Sequence, residues 1–433
     1  MRPNPAEETH GLPQALIRGV QPYHLTTQTQ QSKANLRSSL SLSRLSLPAS
    51  CSVLSPAPII LQRMGIKEVH GGRQLSRSNV FRKDTKLSQA PIVSVPKSSS
   101  VSTLKSEENT PCKYWMSGNC RRGEKCWYLH SCRRGDGFAT LAKLEGHKKA
   151  VRGIAHPSGF DKLYSGSSDG TLRMWDGFTG QCVRLTNLED EVGSLITEGS
   201  LIFIGMKNLV KALDIHSEVE FNLKGPIGQV FAMTVVRDML VAGAQNGCIS
   251  TWRASCETKS FQPAASLEGH IGAVTCFAVE EKTLFSGSED HTIRVWDMDT
   301  FRCIETLNGH AAAVTSLVHC NGYLFSCSLD CTIKVWSAPE GRNWEVVYTH
   351  NVGSGALKLF GMNDAETETV LFCSCNDNTV RLYELPSFSE RGRIFSKREV
   401  RVIERGSENL FFTGDDSGSL TVWKWRENLK KTN

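Results

Sequence analysis

From Phe138 to Trp425 the chain repeats itself with a period of about forty residues. The clearest copies open on Gly-His and close on a tryptophan. Gly146-His147 leads to SGSSDGTLRMWD, ending at Trp175-Asp176. Gly269-His270 leads to SGSEDHTIRVWD, ending at Trp296-Asp297, and Gly309-His310 leads to SCSLDCTIKVWS around Trp336. In weaker copies the tryptophan phase falls on Leu213, Trp252, Tyr383 and Trp423. A unit this short cannot bury an apolar face alone, so the copies must stack. Apolar alternation and turn residues predict four short strands in each.

These copies resemble WD repeats, and the resemblance covers the whole block. It implies an all-β chain with a seven-bladed propeller over residues 138–427, one blade per tryptophan landmark. It also implies a buried network of the Gly-His histidine, an Asp six residues before the tryptophan, a strand Ser and the tryptophan itself. His147, Asp169 and Trp175 fit it, as do His270, Asp290 and Trp296, and His310, Asp330 and Trp336. Lys207, Asn246 and Ser417 replace the Asp in the second, third and seventh copies, which should be less tied down. An Asp, a His and a Ser in apolar surroundings could pass for a catalytic triad. Their recurrence in three copies, each completed by an indole N–H, assigns them to structure. With no other acid, base or nucleophile constellation, the chain reads as a non-enzyme without catalytic residues or a small-molecule substrate. Phe138 to Leu144 precedes the first Gly-His and reads as the outer strand of the last blade. Pairing it with the final strands, around Leu410 to Trp425, would close the ring.

Just upstream lies CKYWMSGNCRRGEKCWYLH, which holds Cys112, Cys120, Cys126 and His130. Seven, five and three residues separate successive members. Three thiolates and one imidazole fill a tetrahedral shell, the way structural Zn²⁺ is held, with no position left open for catalysis. A module of residues 110–132 has no core of its own. Metal binding must supply its folding free energy, on the order of 10–16 kcal/mol in zinc-finger peptides.

The ligand spacing and the Gly123 to Cys126 run resemble the CCCH zinc fingers, which mostly bind single-stranded RNA. Lys113, Tyr114, Trp115, Arg121, Arg122, Lys125, Trp127 and Tyr128 lie between the ligands. Cations attract phosphates, and aromatic faces stack on unpaired bases that a duplex would hide. The resemblance implies that Trp115 and Tyr128 stack on bases; the plainer alternative has them packing around the zinc. Arg122 stands where a further stacking aromatic is common, so the family's sequence preference does not transfer. A finger followed by WD repeats resembles the plant CCCH-finger WD-repeat proteins over residues 110–425. That resemblance implies zinc, nucleic-acid binding and a nuclear setting.

Charge follows the same division. Residues 1–136 carry 20 Lys and Arg against 8 Asp and Glu, a net of +12, while the remainder carries 30 against 36. A basic arm beside a finger is the footprint of a nucleic-acid binder. Residues 1–109 are basic, Ser-rich and without a periodic apolar face, so they read as disordered. Residues 1–63 alternatively resemble an organelle transit peptide, and Met64 could be a second start. Residues 428–433 form a basic tail with Lys430 and Lys431. Fifteen cysteines, an odd count, together with a metal motif and no secretory signal point to a reducing nuclear or cytoplasmic compartment. Cys276, Cys320 and Cys373 sit in apolar runs and read as small buried hydrophobes, and Cys132 as a spare thiol. No apolar run is long enough for a membrane helix. Arg133 and Arg134 should extend the finger's basic surface, with Gly135 and Gly137 forming a hinge.

The expected function is a zinc-dependent RNA-binding adaptor whose propeller docks protein partners. One alternative is a DNA-binding transcriptional regulator. Another is a protein scaffold or ubiquitin-ligase substrate receptor, weakened by the absence of Arg two residues after Trp-Asp, where Phe178 and Asp299 stand.

Overall fold

A computed structural model describes residues 110–425 except 117–118, 136, 158–159, 256–259, 339–342, 364–368 and 408. The expected disordered region 1–109, with its alternative start at Met64, and the basic tail 428–433 lie outside the described residues. Among the described residues, beyond one helical turn and one 3-10 turn in the finger, the regular structure is antiparallel strand. The strands form because β-branched and aromatic residues alternate with polar ones between turn residues. In the first complete sheet, Val151–Ala155, Lys162–Ser167, Thr171–Asp176 and Cys182–Asn187 pair in chain order. The two central strands supply buried Leu163, Tyr164, Leu172 and Trp175, while Cys182–Asn187 forms an exposed outer edge. Inner strands of neighbouring sheets pack on one another, and the six-stranded sheet meets its neighbours through Ser194–Glu198 on one side and Glu220–Val236 on the other. Val151–Ala155 in turn meets Val400–Arg405 of the last sheet, completing the circuit.

The expected seven blades are not what forms: among the described residues the strands assemble into six sheets. Four sheets have four strands, one has five and one has six. The six-stranded sheet holds both the second and third landmarks, Leu213 and Trp252. The reason lies at Lys207. In the clear copies the Asp at this position makes an Asx turn that ends one strand and starts the next. Asp169 Oδ1 accepts the Thr171 N–H at 3.0 Å, and Asp290 and Asp330 do the same for Thr292 and Thr332. Asn246 and Asp377 also keep the turn, accepting from Cys248 and Thr379. Lys207 has no acceptor to offer. There Leu201–Asp214 runs as one strand, with Lys207 opposite Gln229 on an equally continuous Glu220–Val236. Apolar packing takes over from polar ties, with Phe261 edge-on to Phe203 and Phe221, each at 5.7 Å.

Ring closure occurs where the sequence places it. Phe138–Leu144 pairs antiparallel with Leu420–Trp425, Phe138 opposite Trp425 and Leu144 opposite Leu420. Phe138 is fully buried and stacks on the Trp425 indole at 6.1 Å.

The implied polar network is present in the three clear copies. Trp296 Nε1–H donates to Ser286 Oγ at 2.8 Å, Ser286 donates to His270 Nε2 at 2.7 Å, and His270 Nδ1–H donates to Asp290 at 2.8 Å. The sets around Trp336 and Trp175 repeat this, with a longer His147–Asp169 contact of 3.2 Å. Every donor has an acceptor only if the imidazole is neutral, with its proton on Nδ1. In the closing sheet Thr413 alone receives the Trp423 N–H, at 2.9 Å.

Burial pushes the pKa of His147, His270 and His310 below the usual 6.5, outweighing the neighbouring carboxylates. Burial also raises Asp290, but hydrogen bonds from Thr292 and His270 outweigh it and bring the carboxyl to about 2. Both shifts are downward, so the unfolded chain takes up protons first as the solution is acidified. The stability they contribute is full above the unfolded histidine value and is lost as pH falls through it, then again below the usual carboxylate range. Urea midpoints followed by tryptophan fluorescence should therefore drop between pH 7.5 and pH 5.5. A midpoint that holds or rises over that interval would contradict neutral buried histidines.

Candidate metal centre and nucleic-acid face

The finger is built by backbone ties around its ligands. Cys112 N–H donates to the Leu129 carbonyl at 2.9 Å, which brings the first and last ligands together. A single helical turn, Lys113–Met116, follows Cys112 and closes with Met116 N–H on the Cys112 carbonyl. The 3-10 turn Gly123–Lys125 delivers Cys126, whose N–H reaches the Gly123 carbonyl at 3.2 Å. Gly123 sits at φ 52°, a left-handed conformation that favours glycine.

These ties converge the four predicted ligands. The Cys112, Cys120, Cys126 and His130 ligand atoms all lie within 4.8 Å of one another. The Cys112 and Cys126 sulfurs are 3.6 Å apart. His130 Nε2 is buried and has no hydrogen-bond partner among the described residues, which an imidazole avoids unless the lone pair has another use. Burial raises the Cys112 thiol, but hydrogen bonds from the Trp115 backbone N–H and from the His130, Cys126 and Cys120 side chains together outweigh it and bring the thiol to about 6, in reach of the thiolate form a metal needs. The set fits one structural zinc ion. Cys132, the spare thiol, is not in it: it packs against the propeller core, 3.5 Å from Thr140 Oγ1.

All eight predicted nucleic-acid contacts lie on the finger's exposed surface. Trp127 is 65 % exposed, Tyr114 57 %, Tyr128 41 % and Trp115 37 %. Trp115 lies flat on the His130 ring at 5.7 Å and 13°, so one face braces a zinc ligand. The packing role weighed for this residue is therefore real, and part of the ring still faces solvent. Tyr128 and Trp127 share a shallow groove with Trp115 and Gly123. Lys113 sits over the Tyr114 ring at 5.1 Å. Arg121, Arg122 and Lys125 are exposed and pair with no carboxylate among the described residues.

The linker behaves differently from the expected hinge and basic extension. Arg133–Arg134 adds a two-residue strand to the five-stranded sheet, opposite Ile394 and Arg393. Arg134 pairs with Glu390 at 3.2 Å, and the Arg133 guanidinium lies 5.7 Å from the Phe138 ring centroid. Phe395 N–H donates to the Cys132 carbonyl at 2.8 Å. Gly135 takes φ 96°, and a Cβ there would lie 2.6 Å from the Arg391 carbonyl oxygen. These glycines allow close docking rather than swing. The signal sequence reading missed is that both arginines face a partner strand hundreds of residues away.

Chelation, or Cys126→Ser, should remove the bound zinc and unfold the finger while leaving the propeller's urea midpoint nearly unchanged. Metal content by atomic emission and unfolding by fluorescence check both halves. Zinc retained in full by Cys126→Ser would remove that residue from the ligand set.

Comparison with known proteins agrees with this geometry. A WD domain, G-beta repeat family profile matches residues 138–176, 261–297 and 301–337, the three clear copies. A CCCH zinc finger domain profile matches residues 112–130. The chain is 54 % identical over 315 residues to zinc finger CCCH domain-containing protein 17 of Oryza sativa subsp. japonica, covering 73 % of this chain and 72 % of that one. It is 52 % identical over 314 residues to zinc finger CCCH domain-containing protein 48 of Arabidopsis thaliana, covering 72 % and 73 %. In fold it is similar to the crystal structure of the WD40 β-propeller domain of Doa1, with a TM-score of 0.55, 21 % identity and coverage of 66 % of this chain and 97 % of that one. With a Cys3His zinc centre docked on a WD-repeat propeller, the chain belongs to the plant CCCH zinc finger proteins that carry WD repeats.

Proposed function

We propose that this protein is a non-enzymatic, zinc-dependent RNA-binding adaptor. The finger takes a few unpaired bases of a single strand, and the propeller presents a surface to protein partners. One observation supports the reading most: four aromatic side chains and four cations sit together, exposed, on a module too small to need them for a core. Aromatic faces open to solvent lose nothing by stacking on a base, and each stack contributes roughly 1–3 kcal/mol. The same surface favours a single strand over duplex DNA, whose bases already stack on one another. The metal set is a closed Cys3His shell, so zinc acts by folding the finger and not as a Lewis acid. A nuclear or cytoplasmic setting, where thiols stay reduced, suits that shell.

Tyr128→Ala should weaken binding to single-stranded RNA by roughly fivefold to 150-fold, the range for one lost stack. Zinc content should be unchanged, since Tyr128 supplies no ligand. Fluorescence anisotropy on a random RNA pool reads the first and atomic emission the second. Unchanged RNA affinity in both Tyr128→Ala and Trp127→Ala would turn the finger into a protein-contact module.

A further inference from the structure

Between the finger and the closing sheet runs a cleft whose residues come from three distant parts of the chain. Trp115 and Met116 of the finger form one side. Lys143, from the strand Phe138–Leu144, and Lys397, from the turn before Val400–Arg405, contribute to the other. Trp115 lines this cleft and also the shallow groove beside Tyr128 and Trp127. The two depressions thus share one indole. Because Arg133–Arg134 is paired into the propeller, the finger holds a fixed heading toward the cleft.

Lys143 and Lys397 are exposed and pair with no carboxylate among the described residues. Two carboxylates share the cleft. Asp415 is buried, and its oxygens are occupied by the hydroxyls of Ser417 at 2.6 Å and Ser396 at 2.9 Å. Glu145 is exposed at the rim.

We propose that this cleft is the second half of the single-strand site, where RNA leaving the finger past Trp115 places phosphates on Lys143 and Lys397. The proposal rests on the finger reading RNA. It differs from that reading in assigning part of the footprint to the propeller seam. An acidic peptide would also satisfy two lysines, but it has no use for the aromatic groove that leads into the cleft. Glu145 opposes a phosphate, so its charge sets how tightly the outer part of the strand is held.

The test compares oligonucleotides of about four and about twelve nucleotides, one at the short end of single-strand site sizes and one well above it. The full chain binds each as wild type, as the double variant Lys143→Ala/Lys397→Ala, and as Glu145→Gln. The wild type should prefer the long strand. The double variant should bind the short strand normally but lose the length preference, and its salt slope on the long strand should fall by about 1.4, two phosphates at about 0.7 each. Glu145→Gln should tighten the long strand only. A double variant that keeps both length preference and slope would overturn the cleft while leaving the finger reading intact. So would an acidic peptide that binds in a manner dependent on Lys143 and Lys397 without displacing long RNA. Absence of RNA binding at both lengths in the wild type would overturn the two together.

Discussion

One antiparallel pairing, Phe138–Leu144 against Leu420–Trp425, carries the rest of the structure. It joins the start of the repeat block to its end and so removes the edge that an open ring would expose. Phe138, buried between Trp423 and Trp425, fixes the register by its bulk. A slip of one residue would turn that ring to solvent. The same strand begins directly after the finger's linker. Ring closure and finger placement are therefore one event: wherever the seam forms, the zinc module is held beside it.

The two parts draw on different sources of stability. The propeller buries tryptophans between sheets and locks three of them through serine hydroxyls that are in turn hydrogen-bonded to histidines. The finger buries almost nothing apart from Cys112, and its backbone ties bring together four ligands whose affinity for zinc must offset the ordering of the whole module. This explains the exposure of its aromatics. A fold held by metal can leave its large side chains facing water, where they are free to meet a base.

How much of this the sequence discloses depends on whether a feature is local. The ligand spacing is local, and all four ligands meet as expected. The Gly-His to Trp period is local too, and the networks at Trp175, Trp296 and Trp336 follow it. The sheet count is not local. It depends on whether each copy breaks its strand, and Lys207, which removes the turn-forming carboxylate, lets two copies run into one six-stranded sheet. Counting tryptophan landmarks cannot detect that, although the sequence does show Lys207 in place of the Asp. The roles of Arg133, Arg134, Gly135 and the cleft lysines are not local either. Their partners, at Arg391 to Lys397 and around Ser417, adjoin them only after the ring has closed.

The central claim is that a zinc-folded finger on this seam reads single-stranded RNA. It is tested most directly by measuring binding to a random single-stranded RNA pool and to duplex DNA at matched salt, for the wild type and for Cys126→Ser. The account predicts that the wild type prefers the single strand and that the preference vanishes with the zinc ligand. Equal binding by the two proteins, or a preference for the duplex, would contradict it.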